Sequence, residues 1–79
     1  MMNKEGTIFN WGNNQKAVIV KVLDESSGLF YCVYFQNSHK YAVAEFTFSD
    51  GVWSLSDESG REIKASEWPQ HVRKLRDTA

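Results

Sequence analysis

Apolar residues fall in short runs, many of them alternating with polar ones, and the runs are separated by clusters of Gly, Asn, Asp and Ser. This is the pattern of pleated strands joined by tight turns. Thr7 to Trp11 lies between Gly6 and Gly12-Asn13-Asn14, and Ala17 to Leu23 precedes Asp24-Glu25-Ser26-Ser27-Gly28. Leu29 to Phe35 precedes Gln36-Asn37-Ser38-His39, and Lys40 to Phe48, Val52 to Ser56 and Arg61 to Lys64 come after. Six strands are thus predicted, at about 7–11, 17–23, 29–35, 40–48, 52–56 and 61–64. The abundance of Val, Ile, Thr and aromatic residues favours strand over helix for most of the chain.

The sharpest turn signal is Asp50-Gly51, because a two-residue type I′ loop needs positive φ at both central positions and Asp-Gly tolerates that. With this loop Ser49 faces Val52, Phe48 faces Trp53, Thr47 faces Ser54 and Phe46 faces Leu55. One side of the hairpin then carries Phe46, Phe48, Trp53 and Leu55, and the other carries Thr47 and Ser54, the separation of a half-buried antiparallel sheet. A three-residue loop Glu58-Ser59-Gly60, with Gly60 left-handed, extends the meander and places Leu55 opposite Ile63 on the same face. In the second strand Lys21 assigns Val18, Val20 and Val22 to the core and Ala17, Ile19, Lys21 and Leu23 to the other side. Loops of four residues (Glu25 to Gly28) and five (Asp24 to Gly28) both fit the next turn. The third strand is apolar on both faces, Leu29, Tyr31, Val33 and Phe35 against Phe30, Cys32 and Tyr34, so it is expected to be covered twice.

A C-terminal helix over about 67–77 supplies one cover. Trp68, Val72 and Leu75 recur at helical spacing, Ser66 suits an N-cap, and Lys74 and Arg76 complement the dipole at the far end. Pro69 disfavours helical geometry at Trp68, which gives Pro69 as the alternative start. The expected architecture is α+β and mostly β: one domain, 1–79, an antiparallel meander of about six strands curved or closed into a small SH3-like or OB-like barrel, with one short helix against it.

Composition narrows the function. At 79 residues, 42% apolar and 14% aromatic, a chain of this size buries only about 60% of its unfolded surface, so most large side chains are needed for the core. The net charge of -1, from 9 basic and 10 acidic residues, gives no global attraction to nucleic acid or to an anionic membrane. The only cysteine, Cys32, cannot make an internal disulfide, and a reducing, cytoplasmic compartment is expected. No apolar run approaches the ~20 residues of a spanning helix.

The sequence contains no phosphate-binding loop, dinucleotide fingerprint, H-E-x-x-H or paired C-x-x-C, so neither catalysis nor a cofactor or metal is expected. Cys32 with His39 or His71 has the composition of a thiol and base, but a cysteine in so apolar a strand acts as a small hydrophobe. Asp24, Glu25, Asp57 and Glu58 occupy turns, where solvated carboxylates are ordinary.

Gly6-Thr7-Ile8-Phe9-Asn10-Trp11 to Lys16, Val18-Ile19-Val20 and Tyr31-Cys32-Val33-Tyr34-Phe35 together resemble the first three strands of cold-shock domains, over about the first 35 residues. In the family, single-stranded nucleic acid stacks on aromatic rings beside basic residues. Here Ala17-Val18-Ile19-Val20 replaces the glycine and phenylalanine alternation of its first RNA-binding motif, so the resemblance carries no site across. From the residues themselves, Trp11, Tyr31 and Tyr34 with Lys16 and Lys21 compose an aromatic and basic set of the kind small barrels use for single strands. Arg73, Lys74 and Arg76 make the helix basic on its outer side.

Two functions are therefore expected in order. The first is a non-catalytic accessory protein that binds a protein partner or a second copy of itself through a sheet face or edge. The alternative is a single-stranded nucleic-acid-binding small barrel.

Overall fold

A computed structural model describes residues 4–12, 15–37, 40–56 and 60–78. Six strands run β1 (Ile8–Asn10), β2 (Lys16–Asp24), β3 (Leu29–Asn37), β4 (Lys40–Ser49), β5 (Val52–Leu55) and β6 (Arg61–Ile63), and α1 spans Pro69–Thr78. The first five pair in chain order, antiparallel throughout, and curl into a half-barrel.

The β4–β5 hairpin has the register its turn dictates, Phe46 with Leu55 and Phe48 with Trp53. Asp50 and Gly51 take φ of 53° and 77°, the type I′ pair. The β2–β3 turn closes with Asp24 paired to Leu29, which leaves a four-residue loop. Gly28 is indispensable there: its φ is 70°, and a Cβ built on it lies 2.2 Å from the Phe48 carbonyl oxygen. The two backbones come this close because the Phe48 N–H donates to the Gly28 carbonyl at 2.7 Å.

Both faces of the sheet are core. The inner face, inside the curl, holds Phe9, Ala17, Ile19, Phe30, Cys32, Tyr34, Ala42, Ala44 and Phe46, with Trp11, Val22, Phe48, Trp53 and Leu55 packed around them. On the outer face Val18, Val20, Val33, Val43 and Ile63 meet Val72 and Leu75 of α1. The third strand is covered twice, as its composition demands.

The second strand departs from simple alternation. Ile19 pairs with Cys32 and Lys21 with Tyr31, so Val20 is the extra residue of a β-bulge. A bulge inverts the facing of the residues beyond it. Val18 and Val20 therefore point outward under the helix, whereas Val22 turns into the inner core. The expectation that Val22 joins Val18 and Val20 is corrected by this bulge. Ala17 and Ile19, assigned to the side away from the core, are fully buried on the inner face.

The sixth strand also differs from expectation. It pairs with β4, not with β5: Tyr41 to Ile63 and Val43 to Arg61. With ten residues β4 is longer than β5 can cover, and the backbone groups of Tyr41–Val43 need partners of their own. Ser56 N–H donates to the Glu45 carbonyl at 2.9 Å, so the chain continues along the same edge of β4 instead of reversing. Ile63 consequently lies in the outer core, and Leu55 packs against the inner one. Gly60 is not among the residues with positive φ; it is needed because a Cβ there lies 2.2 Å from the Tyr34 hydroxyl. Glu58 and Ser59 of that predicted loop lie outside the described residues, as do Asn13, Asn14, Ser38 and His39 of the other turns.

The helix begins at Pro69, and the cap is Trp68 in place of Ser66. Trp68 holds a φ of 45°, its carbonyl accepts from the N–H groups of His71 and Val72 at 3.0 Å each, and Pro69 excludes helical geometry at the residue before it.

Candidate functional site

The helix covers only part of the outer face. It seats Val72 and Leu75 over Val18, Val20 and Val33, and its Lys74 Nζ donates to the Gly6 carbonyl of the segment before β1. Among the described residues, nothing packs over the half nearer the β2–β3 and β4–β5 turns. Pairing puts Lys21, Tyr31 and Glu45 in one row across β2, β3 and β4. Beyond that row Leu29, Thr47, Ser54 and Val52 face outward by the registers Leu29 to Thr47, Thr47 to Ser54 and Ser49 to Val52, and Leu23, the extra residue of a second bulge between Val22 and Asp24, joins them beside Lys21 and Tyr31.

Among the described residues the large apolar side chains most open to solvent are Val52, 60% exposed, and Leu23, 38%. Both fall on this bare half. At its border with the helix lies a groove of about 380 Å³ lined by Val20, Lys21, Leu23, Tyr31, Glu45 and Trp68. The Tyr31 and Trp68 rings meet edge to face at 5.8 Å between centroids, so two aromatic walls are set by the fold before anything binds. Lys21 and Glu45 stand exposed at the rim, and neither has an ion-pair partner among the described residues.

The remaining residues singled out from the sequence disperse. Trp11 and Tyr34 belong to the inner face, Tyr34 as part of the core and Trp11 packed against it, with rings edge-on to each other and to Phe46 at 5.1–5.6 Å. The Trp11 indole nitrogen is itself buried. Lys16 sits at the start of β2, its Nζ 3.2 Å from Asn10 Oδ1. Of the three rings, Tyr31 alone borders the groove, with Lys21 beside it. Arg73, Lys74 and Arg76 are exposed on α1, Arg76 at 3.9 Å from Asp77. Sequence reading placed Leu23 away from the core, where it is exposed, but missed Glu45, Val52 and Trp68 as surface-forming residues; the position of Trp68 just before the helix, next to a proline, was the available signal.

The other chemistries separate as well. Cys32 is buried on the inner face and burial pushes its thiol far above the ordinary range. His71 lies on the helix, across the sheet from Cys32, and its Nε2 is 3.8 Å from Glu5 Oε1. His39, Asp57 and Glu58 lie outside the described residues. Asp24 is held by its own turn: its Oδ1 accepts from the Ser26 N–H at 3.1 Å and the Ser26 hydroxyl at 2.8 Å. The side-chain hydrogen bonds from Ser26 and Ser27 keep this carboxyl below the usual carboxylate range. Among the described residues no group of three or more His, Cys, Asp or Glu gathers as metal ligands, and no helix is long and apolar enough to cross a membrane.

Comparison with known proteins finds no matching family model, no matching curated protein and no matching solved structure.

Proposed function

We propose that the protein is a non-catalytic binding module that acts by protein–protein contact through the bare half of its outer sheet face. The observation that carries this reading is the coincidence, among the described residues, of three features on one surface: the two most exposed large apolar side chains, a groove walled by Tyr31 and Trp68, and charges at the rim without ion-pair partners. Aromatic anchors inside a polar rim are the composition of protein interfaces, and exposed apolar surface that the fold leaves uncovered ordinarily meets a partner. Lys21 and Glu45, of opposite sign on either side of Tyr31, supply orientation to such a contact.

The test is affinity capture with the intact chain, with and without nuclease, against Tyr31→Asp and Val52→Asp. Lys64→Ser, beyond β6, serves as control. A protein held by the intact chain and the control, insensitive to nuclease and lost with both aspartate variants, supports the reading. Capture that disappears with nuclease, or that persists in both aspartate variants, overturns it. Val52 is largely exposed, so its variant reports on binding even if Tyr31→Asp fails to fold.

A further inference from the structure

Resting on that reading, we infer that the occupant of the bare face is a second copy of this chain, packed about a two-fold axis that crosses the strands near the Tyr31–Trp68 groove. The first support is shape. The outer face has a step: α1 stands on one half and begins at Pro69, directly after the groove residue Trp68, and among the described residues no element covers the other half. A two-fold axis at the step lays the helix of each copy over the bare half of the other. In such an isologous contact each copy supplies both the protrusion and the recess.

The second support is charge. The bare half ends in two turns at the same end of the sheet, joined by the Phe48 to Gly28 hydrogen bond, and these carry Asp24, Glu25 and Asp50. Glu45 lies on the face itself, in the same row as Lys21 with Tyr31 between them. The helix displays Arg73 and Arg76. Among the described residues Glu25, Glu45 and Asp50 have no cationic partner and Arg73 has no anionic one; the single partner of Arg76 is its neighbour Asp77. The two-fold operation sets each basic helix above the partner's acidic end. A net charge of -1 leaves little long-range repulsion between copies.

The experiment is sedimentation equilibrium of the intact chain from micromolar to millimolar concentration, at low and high salt, alongside two charge-reversed chains. One carries Arg73→Glu and Arg76→Glu; the other carries Glu25→Lys and Glu45→Lys. All four positions are exposed. The intact chain is expected to dimerise, more weakly at high salt because exposed pairs are screened. Each reversed chain alone is expected to lose at least about tenfold in affinity, or ~1.4 kcal/mol. Mixed, the two restore opposite charges at both contacts and form a 1:1 heterodimer, a recovery that a folding defect cannot produce. A mixture of two folded reversed chains that stays monomeric overturns the inference, and so does a dimer indifferent to salt and to both reversals. An intact chain that is monomeric throughout also overturns it; Tyr31-dependent capture of another protein would then leave the broader binding reading standing.

Discussion

The Phe9 and Trp53 rings stack at 3.6 Å between centroids with 13° between their planes, although their strands, β1 and β5, are the two ends of the five-strand order and share no backbone ladder. The half-barrel is closed by side chains where hydrogen bonds are absent. Trp53 also contacts Phe30 and Phe48, so one half-buried ring joins the first, third, fourth and fifth strands.

Trp53→Ala should therefore destabilise the fold by about 2–3 kcal/mol, below the ~3–5 kcal/mol of a fully buried ring. Urea unfolding followed by circular dichroism measures this. Val52→Ala, one residue away but solvent-facing, should stay within about 0.5 kcal/mol. Equal losses at the two positions would refute closure by the ring stack.

Gly60→Ala should cost on the order of 1–3 kcal/mol, as overpacked sites do, because the new methyl meets the Tyr34 hydroxyl at 2.2 Å. Combining it with Tyr34→Phe removes the closest atom, so the double variant should be more stable than the sum of the single losses. Additive losses in denaturant titrations would show that the hydroxyl is not what excludes a side chain at Gly60.

Leu75→Ala removes a fully buried side chain between helix and sheet and should cost about 2–5 kcal/mol. A ten-residue helix is marginal by itself, so amide exchange across 69–78 should accelerate more than exchange in β3. Uniform acceleration would mean that helix and sheet open together.

The Cys32 thiol, raised by burial, should resist alkylation at mildly alkaline pH in the folded protein and react at the rate of a free thiol once unfolded, since the thiolate is the nucleophile. Rapid labelling of the folded chain would contradict its place in the inner core.

Asp24 has a folded-state pKa below its unfolded value, through the side-chain hydrogen bonds of Ser26 and Ser27. Its contribution to stability is present above the unfolded pKa of about 4 and is lost as pH falls through the folded value. Asp24→Asn should flatten the stability profile below about pH 4 and leave the profile near neutrality parallel to that of the parent. Chemical denaturation across this range, with the carboxyl titration followed by NMR, provides the measurement. An Asp24 midpoint at or above the unfolded value would refute the turn's hold on the carboxylate.

Local chemistry determined much of this molecule. Six strands and a helix were legible because turn residues punctuate the chain, and the Asp50-Gly51 register came from backbone geometry that admits few residue types. The double coverage of β3 came from the absence of polar positions on either face. The aromatic and basic residues of the groove were only partly legible: Tyr31 and Lys21 were named, but so were Trp11 and Tyr34, whose rings are identical in kind and packed on the inner face.

Pairing and facing were decided by tertiary structure. Nothing local distinguishes a sixth strand that hairpins onto β5 from one that continues along β4; the length of β4 and the backbone groups that β5 leaves without partners settle that, and they send Ile63 to the opposite core from Leu55. A single bulged residue at Val20 likewise reverses Val22 without any mark in the sequence, because it is defined by the partner strand's count and not by its own. The bare half of the outer face exists for the same reason: a short helix anchored through Val72, Leu75 and Lys74 reaches only so far, and which side chains remain beyond it depends on where the whole sheet lies beneath.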